Sequence, residues 1–249
     1  RFFIIHWRIH DLFPGDQVTF SLEIFDNDPI GGPKSSRSSN YVIDYPSLVD
    51  LLSKMDKIEK KQVDDLGNVV DKQKKITEDV QKTLEKISDK MEEREKSAPG
   101  DESNSWMEEK ELEGIKERQK ELVEQARKIE QELEQYKEQA QEIAQQEEQS
   151  GFTPETLEKI EKIQELMQQL MDKDSQALLE KIDQTIDQMA KQITEEQLND
   201  LSYTFQDYNQ QLDRTLSMLE NAFQSRQLEG LKQMVDDLAQ RQEHLQRET

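Results

Sequence analysis

Between Leu112 and Ile143 the chain sets Leu112, Ile115, Gln119, Leu122, Ala126, Ile129, Leu133, Tyr136, Ala140 and Ile143 in steps of three and four without a slip, and nearly every residue between them is Glu, Gln, Lys or Arg. Residues three and four apart share one face of a helix, so this heptad rhythm predicts a long helix with a narrow apolar seam. A seam of that kind is stable only when another helix covers it. The rest of the chain must therefore supply helices.

Composition agrees with an extended helical assembly. Apolar residues make up 33% of the sequence and charged residues 35%, with a net charge of −22. Low hydrophobicity and high charge also mark disordered chains, but disorder gives no reason to keep Leu and Ile at heptad spacing. Residues 1–47 hold four Lys or Arg against six Asp or Glu, so nearly all the negative charge falls on residues 48–249. That balance argues against nucleic acid, whose phosphates need clustered cations, and against lying flat on an anionic membrane. The absence of Cys excludes thiolate catalysis, disulfides and thiolate metal sites. No apolar run approaches the roughly 18 residues of a membrane-spanning helix; the longest is Phe2 to Ile5. The chain begins at Arg1 inside a strand-like stretch, with neither Met nor a signal peptide, so a fragment is expected, with any membrane segment upstream.

The first part follows a different period. Val18, Phe20, Leu22 and Ile24 alternate with polar residues after the turn-forming Pro14, Gly15 and Asp16, predicting a strand with one buried face. Phe2 to Ile9 and Tyr41 to Tyr45 are further strand candidates, separated from it by the loop residues Asp26 to Pro33. At Pro46 and Ser47 the period switches. Ser47 with Asp50, Ser105 with Glu108 and Thr194 with Gln197 have capping-box spacing, and Thr153 with Pro154 makes a further helix start. The first helix is expected to use Leu48, Leu51, Met55 and Ile58, to drift through Val63, Leu66, Val69 and Val70 with a local bend or phase shift around Gly67, and to resume at Ile76, Val80, Leu84, Ile87 and Met91.

The fold class expected is mainly α: long antiparallel coiled-coil helices preceded by a small truncated β-sandwich, immunoglobulin-like piece. Residues 1–46 form the partial β domain and residues 47–150 an antiparallel hairpin with its linker at 97–105. Residues 151–249 form a second helical pair, packed beside or beyond the first, with breaks near 172–175 and 223–227. The seam of the second helix is expected to close mainly on the preceding helix of the same chain. Its Gln119, Ala126 and Ala140 weaken a self-associating zipper.

Asp11-Leu12-Phe13-Pro14-Gly15-Asp16, the strand ending Leu22-Glu23-Ile24-Phe25-Asp26-Asn27-Asp28, then Gly32, Pro33, Lys34, Ser38 and Tyr45-Pro46-Ser47-Leu48 resemble the end of the immunoglobulin-like segment of the bacterial domain of unknown function 4175 proteins. About 40 residues carry that resemblance. It implies a large envelope protein with transmembrane helices ahead of the β domain and long coiled coils after it. It carries over no catalytic or ligand residues.

Chemistry-bearing residues are few. Asp26, Asn27 and Asp28 offer oxygens to a Ca²⁺ ion, although the commoner role of such a trio is an Asx turn, and no EF-hand spacing accompanies them. His6 and His10 lack a third ligand at metal-binding spacing. Carboxylate pairs such as Glu108 and Glu109, Glu147 and Glu148, or Glu195 and Glu196 belong to solvated faces, and no phosphate loop, nucleophile elbow or zinc-protease helix is present. No catalytic residue, cofactor or nucleic-acid partner is expected. The function expected is a non-enzymatic, acidic coiled-coil spacer or scaffold in the cell envelope. It is expected to be membrane-anchored in the full-length protein, periplasmic in this part, and to meet protein partners or itself through its helices. A calcium-dependent β module on a helical stalk is the alternative.

Overall fold

The computed structural model describes residues 17–25, 32, 34–44, 47–96, 105–146, 152–189 and 193–248. It divides into the units Arg1–Asp56 and Lys57–Thr249. The chain is mainly helical, with four long helices and a few small strands.

In the first unit β1 (Gln17–Phe20) pairs antiparallel with β4 (Tyr41–Asp44), and β2 (Glu23–Phe25) pairs antiparallel with β3 (Ser35–Arg37). Between the two ladders, Ser21 and Leu22 stand opposite Ser38, Ser39 and Asn40, so one strand carries an extra residue in the manner of a bulge. Ser38 repairs the gap: its N–H donates to the Leu22 carbonyl at 2.8 Å and its hydroxyl accepts from the Leu22 N–H at 2.9 Å. The expected single strand over Val18 to Ile24 is thus interrupted. Its expected buried face is not buried either, since Val18 and Phe20 are only half-buried and Ile24 is 70% exposed. The stretch Phe2 to Ile9 lies outside the described residues.

Ser47 caps α1 (Leu48–Lys96) as its spacing predicts, its hydroxyl accepting from the Asp50 N–H at 3.1 Å. α1 is unbroken at Gly67. Its buried positions run Leu52, Met55, Glu59, Gln62, Leu66, Val69, Gln73, Ile76, Val80, Thr83 and Ile87, an unbroken three-four rhythm. The apparent drift arises because Glu59, Gln62 and Gln73 occupy seam positions, whereas Ile58 is only half-buried.

α2 (Ser105–Gln146) buries every expected seam residue from Leu112 to Ala140. Bonds from Lys61 to Glu132, Lys72 to Gln125, Arg118 to Asp79 and Lys86 to Glu111 show α1 and α2 running antiparallel. Glu108 is buried and takes Lys90 of α1, a cross-helix role beyond the expected cap. α1 alone does not cover α2, which also packs on α3 (Pro154–Gln169) and α4 (Ser175–Met189). That wider contact buries Val123 beside Leu122.

α3 begins with Thr153 as N-cap and Pro154 in its first turn. A π turn, Leu170–Asp174, joins it to α4, with the Ser175 N–H donating five residues back to Leu170. The seam shows why. Ile160, Ile163, Met167 and Leu170 are buried at heptad spacing, then Met171, Ser175, Leu178 and Ile182 are buried one residue late. The π turn absorbs that extra residue, so the helix widens where a break is expected. α5 (Glu195–Glu248) is capped by Thr194 and Gln197 as predicted, and it runs unbroken through 223–227, where the second break is expected. Its buried face continues from Leu219 and Ala222 through Arg226 and Gly230, while Leu228, Leu231, Val235 and Leu238 stand exposed on another face. The register there changes face without ending the helix.

Lys116 to Asp183 and Lys137 to Gln164 set α2 antiparallel to the α3–α4 helix, Lys181 to Asp200 with Phe152 under Arg226 sets α3–α4 antiparallel to α5, and Lys74 to Asp213 with Glu59 to Arg226 sets α5 antiparallel to α1. Each long helix of the second unit therefore has antiparallel neighbours.

Because the π turn stores one surplus residue, deleting Asp172 is expected to leave the urea midpoint close to the parent's. Deleting Glu180 rotates Ile182 and Thr185 off the core, a loss of roughly 2 kcal/mol or more for the Ile alone. Helical circular dichroism during urea unfolding compares the two; equal losses would show that the turn does not set register.

Candidate functional site: a buried carboxylate network

The strongest concentration of chemistry lies in the core. Glu59 and Arg226 are each 1% exposed, and Arg226 grips the carboxylate side-on, Nε to Oε1 at 2.7 Å and Nη2 to Oε2 at 2.6 Å. The Tyr136 hydroxyl donates to Oε1 and Gln227 Nε2 donates to Oε2 at 3.2 Å. Both oxygens therefore accept two hydrogen bonds, the full capacity of a carboxylate. Tyr136 packs edge-on against Phe223 at 5.2 Å and Phe152 at 6.2 Å, and the Arg226 guanidinium lies 5.6 Å from the Phe152 ring centre.

Every strand of this network follows from a helix face. Glu59 continues the α1 seam from Leu52 and Met55, Tyr136 continues the α2 seam from Leu133, and Arg226 continues the α5 seam from Leu219 and Ala222. Burial pushes the Glu59 carboxyl above the ordinary glutamate range, and Arg226, Tyr136 and Gln227 pull it back. Sealed from water, the group has no route to a dissolved substrate. What it does is select one register, since sliding any helix by a turn would leave a charge in the core without a partner.

A second polar layer lies along the α1–α2 contact. Gln119 donates to Gln73 at 2.9 Å, both fully buried, and Gln62 is fully buried with neither amide atom hydrogen-bonded. Around the π turn, burial and the Asp207 charge raise the Asp174 carboxyl, and burial with Asp172 and Glu134 raises Glu130. Burial and Asp174 also push the Tyr208 phenol up.

Asp26, Asn27, Asp28, His6 and His10 lie outside the described residues. Among the described residues no group of three or more His, Asp or Glu is placed to hold a metal ion. An open groove of about 500 Å³ runs between Gln81, Leu84, Glu85 and Ser88 of α1 and Glu195, Leu198, Asn199 and Ser202 of α5; its two carboxylates, one from each helix, have no cation among the lining residues. Glu59, Gln62, Gln73 and Arg226 escape a reading that looks only for apolar period. For Glu59, Gln62 and Gln73 the signal is present all the same, as polar residues three or four places from Met, Ile, Val or Leu on both sides, whereas Arg226 has Ala222 and Phe223 before it but Glu229 and Gly230 after it. Compared with family models, curated proteins and solved structures, the chain shows no match.

Replacing Arg226 by Met strands the Glu59 carboxylate and is expected to cost about 3–5 kcal/mol. The double substitution Glu59→Leu with Arg226→Met is expected to recover most of that. Urea denaturation of both variants checks the pair, and a double variant as unstable as Arg226→Met alone would show that the charges are not coupled.

Glu130 and Asp174 have folded pKa values raised above the unfolded ones. Their protonated forms favour the fold, so that stabilisation is present below the unfolded pKa and is lost as pH rises through the folded pKa. Asp50 and Glu155 are lowered, by Ser47 and Lys159 respectively, and lose their contribution only at more acid pH. The denaturation midpoint is therefore expected to be higher at about pH 5 than at about pH 7.5, with Asp174→Asn narrowing the difference. A midpoint that climbs from the lower pH to the higher would overturn this.

Proposed function

We propose that the chain is a non-enzymatic structural or interaction segment of a membrane-anchored bacterial envelope protein, an acidic antiparallel coiled-coil scaffold that follows the end of an immunoglobulin-like domain. The observation that carries this reading is how the core is used. Its buried charge and amides, Glu59, Arg226, Gln73 and Gln119, bond across helices and hold them in register. The outward faces are acidic, and most of the large apolar side chains left exposed among the described residues lie on the β strands and the end of α5, with Val49, Trp106, Met107 and Tyr203 near helix starts. Surfaces of that kind suit protein contacts. The resemblance of residues 11–48 to domain of unknown function 4175 proteins supports the envelope placement.

The Cys-free segment makes placement measurable. Glu121 is exposed on α2, so Glu121→Cys in the full-length protein offers a reporter for a membrane-impermeant maleimide. Labelling of cells permeabilised only at the outer membrane, above the background of the parent protein, together with recovery in the membrane fraction, is expected. Labelling only after complete lysis, with the protein in the soluble fraction, would overturn the placement.

A further inference from the structure

α5 carries two apolar faces. The first, ending at Ala222, Arg226 and Gly230, is buried; the second, Leu228, Leu231, Val235 and Leu238, is 59–69% exposed. At about 100° per residue the centre of the second face lies about 160° around the helix from the first. The helices that bury Arg226 therefore cannot cover it. We propose that its occupant is the same face of a second copy, forming a parallel two-stranded coiled coil.

The spacing of the second face is heptad, with Leu228 and Val235 in one position and Leu231 and Leu238 in the other. Leu fills both positions of the second kind, and Val235 puts a β-branched residue at one of the two positions of the first kind, the combination that favours two parallel strands. Charge points the same way. Although the chain carries −22, the positions flanking this face hold Lys232, Met234, Ala239 and Arg241, and the acids Glu229, Asp236, Asp237 and Glu243 fall on outer positions. An in-register copy brings Met234 beside Ala239 and sets no carboxylate against another. A basic partner helix, by contrast, finds no acid beside the seam to pair with. The helix is also already formed, anchored by the buried run from Leu198 to Arg226, so association bears no nucleation cost.

This deepens the scaffold reading by naming the second copy as partner, and its test is independent of the maleimide labelling. The chain is expected to sediment as a dimer at high micromolar concentration and as a 29.3 kDa monomer on dilution. The double substitution Leu231→Lys with Leu238→Lys is expected to abolish the dimer with helical circular dichroism unchanged, since both side chains are exposed in the single chain. Under mild oxidation Leu238→Cys is expected to crosslink to its own copy while the outward Asp236→Cys does not. A chain monomeric at every concentration, a dimer that survives the two lysines, or equal crosslinking at the two positions would each overturn the proposal. None of these results bears on the envelope placement.

Discussion

A carboxylate removed from water must be answered by donors, and the Glu59 carboxylate is answered from two other helices at once. Arg226 and Gln227 reach it from α5 and Tyr136 from α2. Apolar seams built from Leu and Ile tolerate a slip of seven residues, because the surfaces that meet after the slip are chemically alike. The Glu59 network removes that tolerance. The same displacement that leaves Leu against Leu leaves a guanidinium and a carboxylate buried apart, and the antiparallel α1–α5 pairing follows from avoiding that outcome.

The ion pairs on the outside act on a different property. Lys61 to Glu132, Lys86 to Glu111, Lys74 to Asp213 and Lys181 to Asp200 are largely solvated, and exposed pairs of this kind contribute between nothing and about 1 kcal/mol each. Their joint effect is on choice of neighbour. In a chain of −22 the helices repel wherever acids face acids, and these lysines sit where two helices meet. Antiparallel order is the arrangement that places them there.

How much of this was legible depended on whether a seam position was apolar. α2 could be read residue by residue because only Gln119 interrupts its apolar and aromatic seam. The α1 pattern is irregular in the sequence because Glu59, Gln62 and Gln73 take seam positions that an apolar period assigns to Leu, Ile or Val. The network itself was illegible for the same reason: nothing in a single sequence says that Glu59 and Arg226, 167 residues apart, meet. The π turn was visible only as a lapse near Asp174, since a one-residue surplus and a helix break look alike in a linear pattern. The face change after Ala222 was likewise indistinguishable from a break until exposure separated the two faces. Alternation over Val18 to Ile24 spans β1 and β2 and the apolar stretch at Tyr41 marks β4, but β3 is Ser-Ser-Arg and is held by its partner's backbone, with no strand signal of its own.

Glu59 and Arg226 join the first and last helices of the second unit, and those helices run antiparallel. A pull entering before Glu59 and leaving after Arg226 would therefore act on both helices from the same end. Under that geometry the contacts between α1 and α5 open one after another like a zipper, each bearing the load in turn, whereas pulling opposite ends would make them share it in shear. The rate of forced unfolding is then set by the few contacts nearest the load, the buried network among them. Such a segment is a stiff strut along its helices and a compliant tether across its two ends.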